Sequence, residues 1–325
     1  MTRIRPHLLA LGIAAATLPG LATAQAYPSK PVRLLVPFAP GGTTDLLARI
    51  IAEKMGATLG QTVVVENKAG AGGAIGAAEV AKSPPDGYML LMSSVSTMAA
   101  NPAINPAATP YDPIKDFVHI SNVAATPNVI AVHPSFPAKD YKTFVEALQK
   151  NPGKYSYGTA GNGTVGHMLA ELYKSMAKVY VTHIPYRGSG PALNDVVAGQ
   201  LPIIVDNLPS TLPFIKDKRL IPIVVAAPKR LANLPDVPTF AEVGLAPVNR
   251  MSFLGVSAPK GTPKEVVDRL NSAVKAALGD AGVKGRIEAT GAIVVGNSAE
   301  EYQKQVSDEL LIYKRVVLEQ KLKPE

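Results

Sequence analysis

The 325-residue chain has no cysteine, so disulfide staples and thiol chemistry are both excluded. Charged residues are sparse, at 18%. Its lysines and arginines are scattered, with neither a basic block nor aromatic interleaving, and this argues against a nucleic-acid partner. The histidines His119, His133 and His183 fall at strand ends without acidic partners at ligand spacing, so no metal site is expected. Low-complexity tracts and short repeats are absent as well.

The first 26 residues have the pattern of a cleavable export signal. Arg3 and Arg5 form a positive start, residues 8–18 an apolar core, and Ala24-Gln25-Ala26 a small-x-small cleavage site, so Tyr27 is expected to begin the mature chain. The apolar core is shorter than the roughly 20 residues of a membrane span. No cysteine follows it, which excludes a bacterial lipoprotein anchor. Loss of this segment lowers the formal charge from +8 to +6, since it carries Arg3 and Arg5 and no acid. A basic mature protein favours anionic ligands through long-range steering. With 47% hydrophobic residues, the remainder can bury a large core without staples.

Strand and helix signals alternate from residue 32 onward. Residues 32–38, 63–66 and 88–92 read as strands, residues 44–58 and 73–83 as helices, and this βαβαβ rhythm points to a parallel sheet. Four prolines within residues 101–113 suggest a long irregular loop. A second βα series runs from Asp140 to about Ala226, and three helical stretches close the chain. No Ser/Gly linker interrupts this pattern. The chain is therefore expected to form one α/β domain (27–123 with 251–325), cross into a second (124–250) and return. Two stiff hinge strands, near residues 121–125 and 249–253, would let such a clam close. Two consecutive domains with an ordinary linker are the alternative.

Two glycine-rich loops stand at strand–helix junctions. The first is Val36-Pro37-Phe38-Ala39-Pro40-Gly41-Gly42-Thr43-Thr44-Asp45, and the second Tyr157-Gly158-Thr159-Ala160-Gly161-Asn162-Gly163-Thr164-Val165-Gly166-His167. Such junctions aim backbone N–H groups and a helix N-terminus at one spot, which suits an anion. The second contains Gly161-x-Gly163-x-x-Gly166, a formal match to a dinucleotide fingerprint. The next strand lacks the acidic residue that would hold a ribose hydroxyl, so a nucleotide is not expected and no cofactor is assigned.

These motifs resemble those of the substrate-binding receptors of tripartite tricarboxylate transporters, the Bug-type family. Further matching stretches are Glu66-Asn67-x-x-Gly70-Ala71-Gly72-Gly73, Pro85-Asp86-Gly87-Tyr88, Pro185-Tyr186-x-Gly188, Asp206-Asn207 and Leu234-Pro235-Asp236-Val237-Pro238-Thr239. Lys68-Ala69 stands where the family often has Arg-Pro, and Arg187 where Lys is common. The resemblance implies an α/β periplasmic-binding-protein fold, a two-domain, type II-like Venus flytrap with two crossover strands. It implies a periplasmic receptor that closes on a small carboxylate or amino acid and passes it to membrane permease subunits. The receptor is expected to act as a monomer.

On this reading Gly42, Thr43 and Thr44 supply N–H donors, Phe38 and Ala39 lie beside the solute, and Asp45 belongs to the same loop. Thr159, Gly161, Asn162, Gly163, Thr164 and His167 form the second cradle. Ser94 is a candidate hydroxyl donor at a strand's carboxyl end, with Ser93, Ser96 and Thr97 nearby. Tyr186 would tolerate a flat solute, Arg187 would read a second carboxylate, and Asp206 would orient a loop or pair with a ligand ammonium. No catalytic residue is assigned: Ser189, in Arg187-Gly188-Ser189-Gly190-Pro191, is not a Gly-x-Ser-x-Gly elbow, which leaves an exported hydrolase a remote alternative. A ligand-loaded receptor that signals to a sensor's exported domain is the nearer one.

Overall fold

In the first strand, β1 (Val32–Val36), successive side chains point to opposite faces of a sheet. Val32, Leu34 and Val36 join one buried cluster and Leu35 another, so both faces are covered. The structure, a computed structural model, describes residues 27–323. The expected export signal therefore lies outside the described residues.

From β1 the chain runs through α1 (Thr43–Leu59), β2 (Val63–Asn67), α2 (Ala74–Ala81) and β3 (Met89–Ser94). A π turn (Ser96–Ala100) leads into α3 (Asn101–Ile104) and then β4 (Phe117–Thr126). Next come β5 (Asn128–Val132), α4 (Tyr141–Lys150), β6 (Ser156–Thr159), α5 (Val165–Ala177) and β7 (Thr182–Pro185). They are followed by α6 (Ser189–Val197), β8 (Ile203–Asn207), α7 (Leu208–Lys216) and β9 (Ile221–Ala226). The last elements are β10 (Ser252–Pro259), α8 (Lys264–Gly279), α9 (Ala281–Glu288), β11 (Ile293–Val294) and α10 (Ala299–Glu319).

The strands form two sheets, ordered β11-β4-β10-β3-β1-β2 and β7-β6-β8-β5-β9. The parallel pairing expected from the βα rhythm holds for β2-β1-β3 and for β7-β6-β8. Both sheets are nevertheless mixed. β10 runs antiparallel to β3 and β4, and β5 antiparallel to β8 and β9. The cause is the double crossing: the chain leaves the first sheet at Thr126, re-enters it at Ser252, and these two residues pair across β4 and β10. Pro127, which has no N–H to give a ladder, separates β4 from β5.

Helices cover all four faces. α1 and α8 pack Leu47, Ile51, Met55, Leu270 and Val274 on one face of the first sheet. α10 packs Tyr302, Val306 and Tyr313 on the other, together with the π turn. α5 adds Val165 and Met168 to this second cluster although it follows a strand of the second sheet.

Local details depart from the sequence expectations. Residues 101–113 are not an irregular loop throughout, because α3 and a 3-10 turn at Pro106–Ala108 lie within them. Pro102 occupies the first turn of α3, where a missing N–H does no harm. The two-residue β11 is too short to leave a periodic signal.

Candidate ligand-binding cleft

Four helices begin at the meeting line of the two sheets, and none is capped by the side chain of its own N-cap residue. They are α1 at Gly42, α5 at Thr164, α6 at Gly188 and α7 at Asn207. In α1 the first intrahelical bond runs from Leu46 N–H to the Gly42 carbonyl at 3.0 Å. The N–H groups of Thr43, Thr44 and Asp45 consequently have no partner within the helix. Thr164 turns its hydroxyl back to the Gly161 carbonyl (2.7 Å) instead of capping α5. The Ser96 hydroxyl, from the first sheet's side, takes the Val165 N–H at 3.0 Å.

These ends enclose a cavity with about 480 Å³ of space outside protein atoms, part of it open to solvent. Phe38, Gly42, Thr43, Thr44, Ser94 and Ser96 line it from the first sheet's side. Thr164, Gly166, Ser189 and Asp206 line it from the second's, with Ser252 and Phe253 at the crossing strand. Among the described residues no lysine or arginine lines it, and Asp206 is its one ionisable wall residue. The positive charge on this wall is that of helix dipoles, and a helix N-terminus contributes roughly 0.3–2 kcal/mol to a nearby anion.

Of the residues expected at the site, Phe38, Gly42, Thr43, Thr44, Ser94, Thr164 and Asp206 line this cavity. Others hold its loops in shape. Asp45 turns back into its own loop, where its carboxylate accepts from Gly41 N–H (3.1 Å), Arg49 Nε (3.0 Å) and Asn67 Nδ2 (2.9 Å). Burial acts to raise its pKa, but the Arg49 and Asn67 side chains and the Gly41 N–H outweigh it and hold the group below its usual value. Thr159 Oγ1 accepts the Gly161 N–H at 3.1 Å and meets His183 Nε2 at 2.7 Å. His167 is buried, accepts the Gly163 N–H at Nδ1 (3.1 Å) and stacks on His183. Asn162 faces the first half through its backbone: a Cβ on Gly72 would lie 2.3 Å from its carbonyl oxygen.

Ala39, Arg187 and Tyr186 also stand outside the lining. The Ala39 N–H donates to the Arg187 carbonyl at 3.0 Å, joining the two halves through backbone alone. The Arg187 side chain is exposed. Tyr186 donates its hydroxyl to Asp195 at 2.5 Å, and burial with that partner pushes its phenol up to about 12.

Sequence reasoning missed the serines around Asp206. Ser189 donates to Asp206 Oδ1 at 2.5 Å and Ser210 to Oδ2 at 2.6 Å. Thr43 Oγ1 accepts the Ser210 N–H at 3.1 Å and lies 2.9 Å from Ser210 Oγ, so this network spans both halves. Its available signal was the placement of Ser189 and Ser210 in the first turns of two helices that follow strands. Burial pushes the Asp206 carboxyl up, opposed by both hydroxyls and by the Asn207 N–H.

A cleft between two mixed α/β sheets, lined by helix N-termini from both, defines a solute-binding protein. The tripartite tricarboxylate transporter family receptor (TctC) profile matches residues 47–322. BugT of Bordetella pertussis (strain Tohama I) is 33% identical, over 98% of this chain and 98% of its own. A solved periplasmic transporter is 49% identical, with a TM-score of 0.90 over 92% of this chain and 99% of that one. An adipate-bound R. palustris protein, Rpa4515, is 34% identical, with a TM-score of 0.88 over 92% and 100%. The chain belongs to the TctC family of solute receptors.

Proposed function

We propose that this receptor is exported to the periplasm after removal of residues 1–26 and there captures a small carboxylate-bearing solute in the cavity described. Two lobes, 27–123 with 251–325 and 124–250, close on the solute, and the loaded form delivers it to membrane permease subunits. The receptor acts as a monomer, without a cofactor and without catalysis. The observation that carries this reading is the convergence of four helix N-termini, none capped by its own N-cap side chain, one from the first sheet and three from the second, on one cavity without a cationic side chain. The adipate complex of Rpa4515, similar over nearly its whole length, supports a carboxylate as the cargo class. Ser189 is paired with an acid, and a carboxylate in direct contact is no substitute for the histidine of a nucleophilic triad.

A thermal-shift screen of residues 27–325 against monocarboxylates, dicarboxylates, amino acids and sugars tests this. Stabilisation grows as RT ln(1 + [L]/Kd), so an acid at about a hundred times its Kd adds roughly 2.7 kcal/mol. Saturable shifts confined to carboxylates are expected. Shifts confined to sugars or cations would overturn the reading.

A further inference from the structure

The cavity's polar wall is not uniform. At the α1 and α5 ends it offers donors. At the α6 and α7 ends it holds Asp206, whose residue is only 5% exposed. Among the described residues no lysine, arginine or histidine forms an ion pair with it. The proton count around this carboxylate sets what it can offer. Ser189 and Ser210 each have one hydroxyl hydrogen, and the short contacts of 2.5 and 2.6 Å direct both to Asp206. Ser210 Oγ is then left to accept from Thr43 Oγ1 at 2.9 Å, and Thr43 Oγ1 accepts the Ser210 N–H. Every hydroxyl hydrogen in the network is therefore committed. What remains toward the cavity is acceptor capacity, from the free lone pairs of Asp206 and from Ser189 Oγ.

A buried carboxylate beside an acidic cargo is costly unless the cargo offers it a hydrogen. We propose that Asp206 and Ser189 form an acceptor subsite that selects carboxylic acids bearing a hydrogen-bond donor, a hydroxyl or an ammonium, over the same acids without one. This deepens the receptor reading and rests on it. A second carboxylate placed here would meet lone pairs and a like charge; a hydroxyl or ammonium would meet its complement.

The test is calorimetric titration of the wild-type receptor with matched trios. These are propionate, lactate and alanine; butyrate, 3-hydroxybutyrate and 3-aminobutyrate; succinate, malate and aspartate; and glutarate, 2-hydroxyglutarate and glutamate. In the trio of fitting length, the hydroxy or amino acid is expected to bind about tenfold or more tightly than the unsubstituted acid, the size of one charge-assisted hydrogen bond. The hydroxy and amino arms identify which donor is read. Equal or tighter binding of the unsubstituted acid would overturn the proposal without touching the receptor reading. No binding by any member would overturn the receptor reading, and the proposal with it. Asp206→Asn and Ser189→Ala, each checked for a native melting transition, should reduce the preference to about threefold or less. Should neither variant fold, the wild-type ranking alone decides.

Discussion

Asp206 lines this cavity and Asp45 braces one of its loops, and their surroundings give them opposite pH signatures. Asp45 is held below its usual pKa, so it contributes stability above the unfolded carboxylate value of about 3.9, lost as pH falls through its lower folded value. Asp45→Asn is expected to cost about 1–3 kcal/mol at neutral pH, with the gap to wild type narrowing below about pH 4 in thermal melts. Asp206 is raised by burial, so its contribution is present at acidic pH and lost as pH rises through its folded pKa. The melting temperature of Asp206→Asn should accordingly gain on wild type as pH increases. A constant difference across the range would contradict this assignment. At this scale the sequence was legible for loop residues that line the cavity, such as Gly42 and Thr44. It was poorly legible for Ser189, whose role depends on a carboxylate 17 residues away.

The helix starts are where local sequence and function meet. Glycine at the entry to α1 and α6 leaves the N-termini uncapped and lets the halves approach. Gly190, inside the first turn of α6, shows how close: a Cβ there would lie 2.1 Å from the Pro40 carbonyl oxygen of the opposite loop. Alanine suits a helix better than glycine, by about 1 kcal/mol, and the clash disappears once the halves separate. Gly190→Ala should therefore leave the unliganded melting temperature unchanged or slightly higher, yet weaken carboxylate binding by about tenfold or more. Small-angle scattering should show a larger radius of gyration, and an unchanged affinity would refute the wedge. Helix and strand identities were largely readable from apolar periodicity, as in α1 and α10. The π turn and α3 were not, because the proline count suggested a loop whereas Pro102 occupies a first turn. The strand directions of β5 and β10 were hidden too, since they follow from how the chain crosses between sheets.

On the proposed function, recognition and closure of the whole molecule use the same parts. The Ala39–Arg187, Thr43–Ser210 and Ser96–Val165 hydrogen bonds all join the loops that form the cavity walls. On that proposal, a solute that draws the helix ends together also completes the contacts that hold the halves shut. The paired crossing at Thr126 and Ser252 places both connections side by side, as a hinge requires. The class of protein was legible from ordered motifs spread over the chain. The chemistry of the far wall was not, because it is set by two hydroxyls brought to one carboxylate from α6 and α7, and by Thr43 of α1, which bonds Ser210. The most direct test is a crystal structure of the receptor with the carboxylate that stabilises it most. The account predicts a carboxylate group within about 2.7–3.2 Å of N–H groups in the first turns of α1 and α5, with no lysine or arginine side chain in contact. A carboxylate bound outside this cavity, or held by the Arg187 guanidinium, would contradict it.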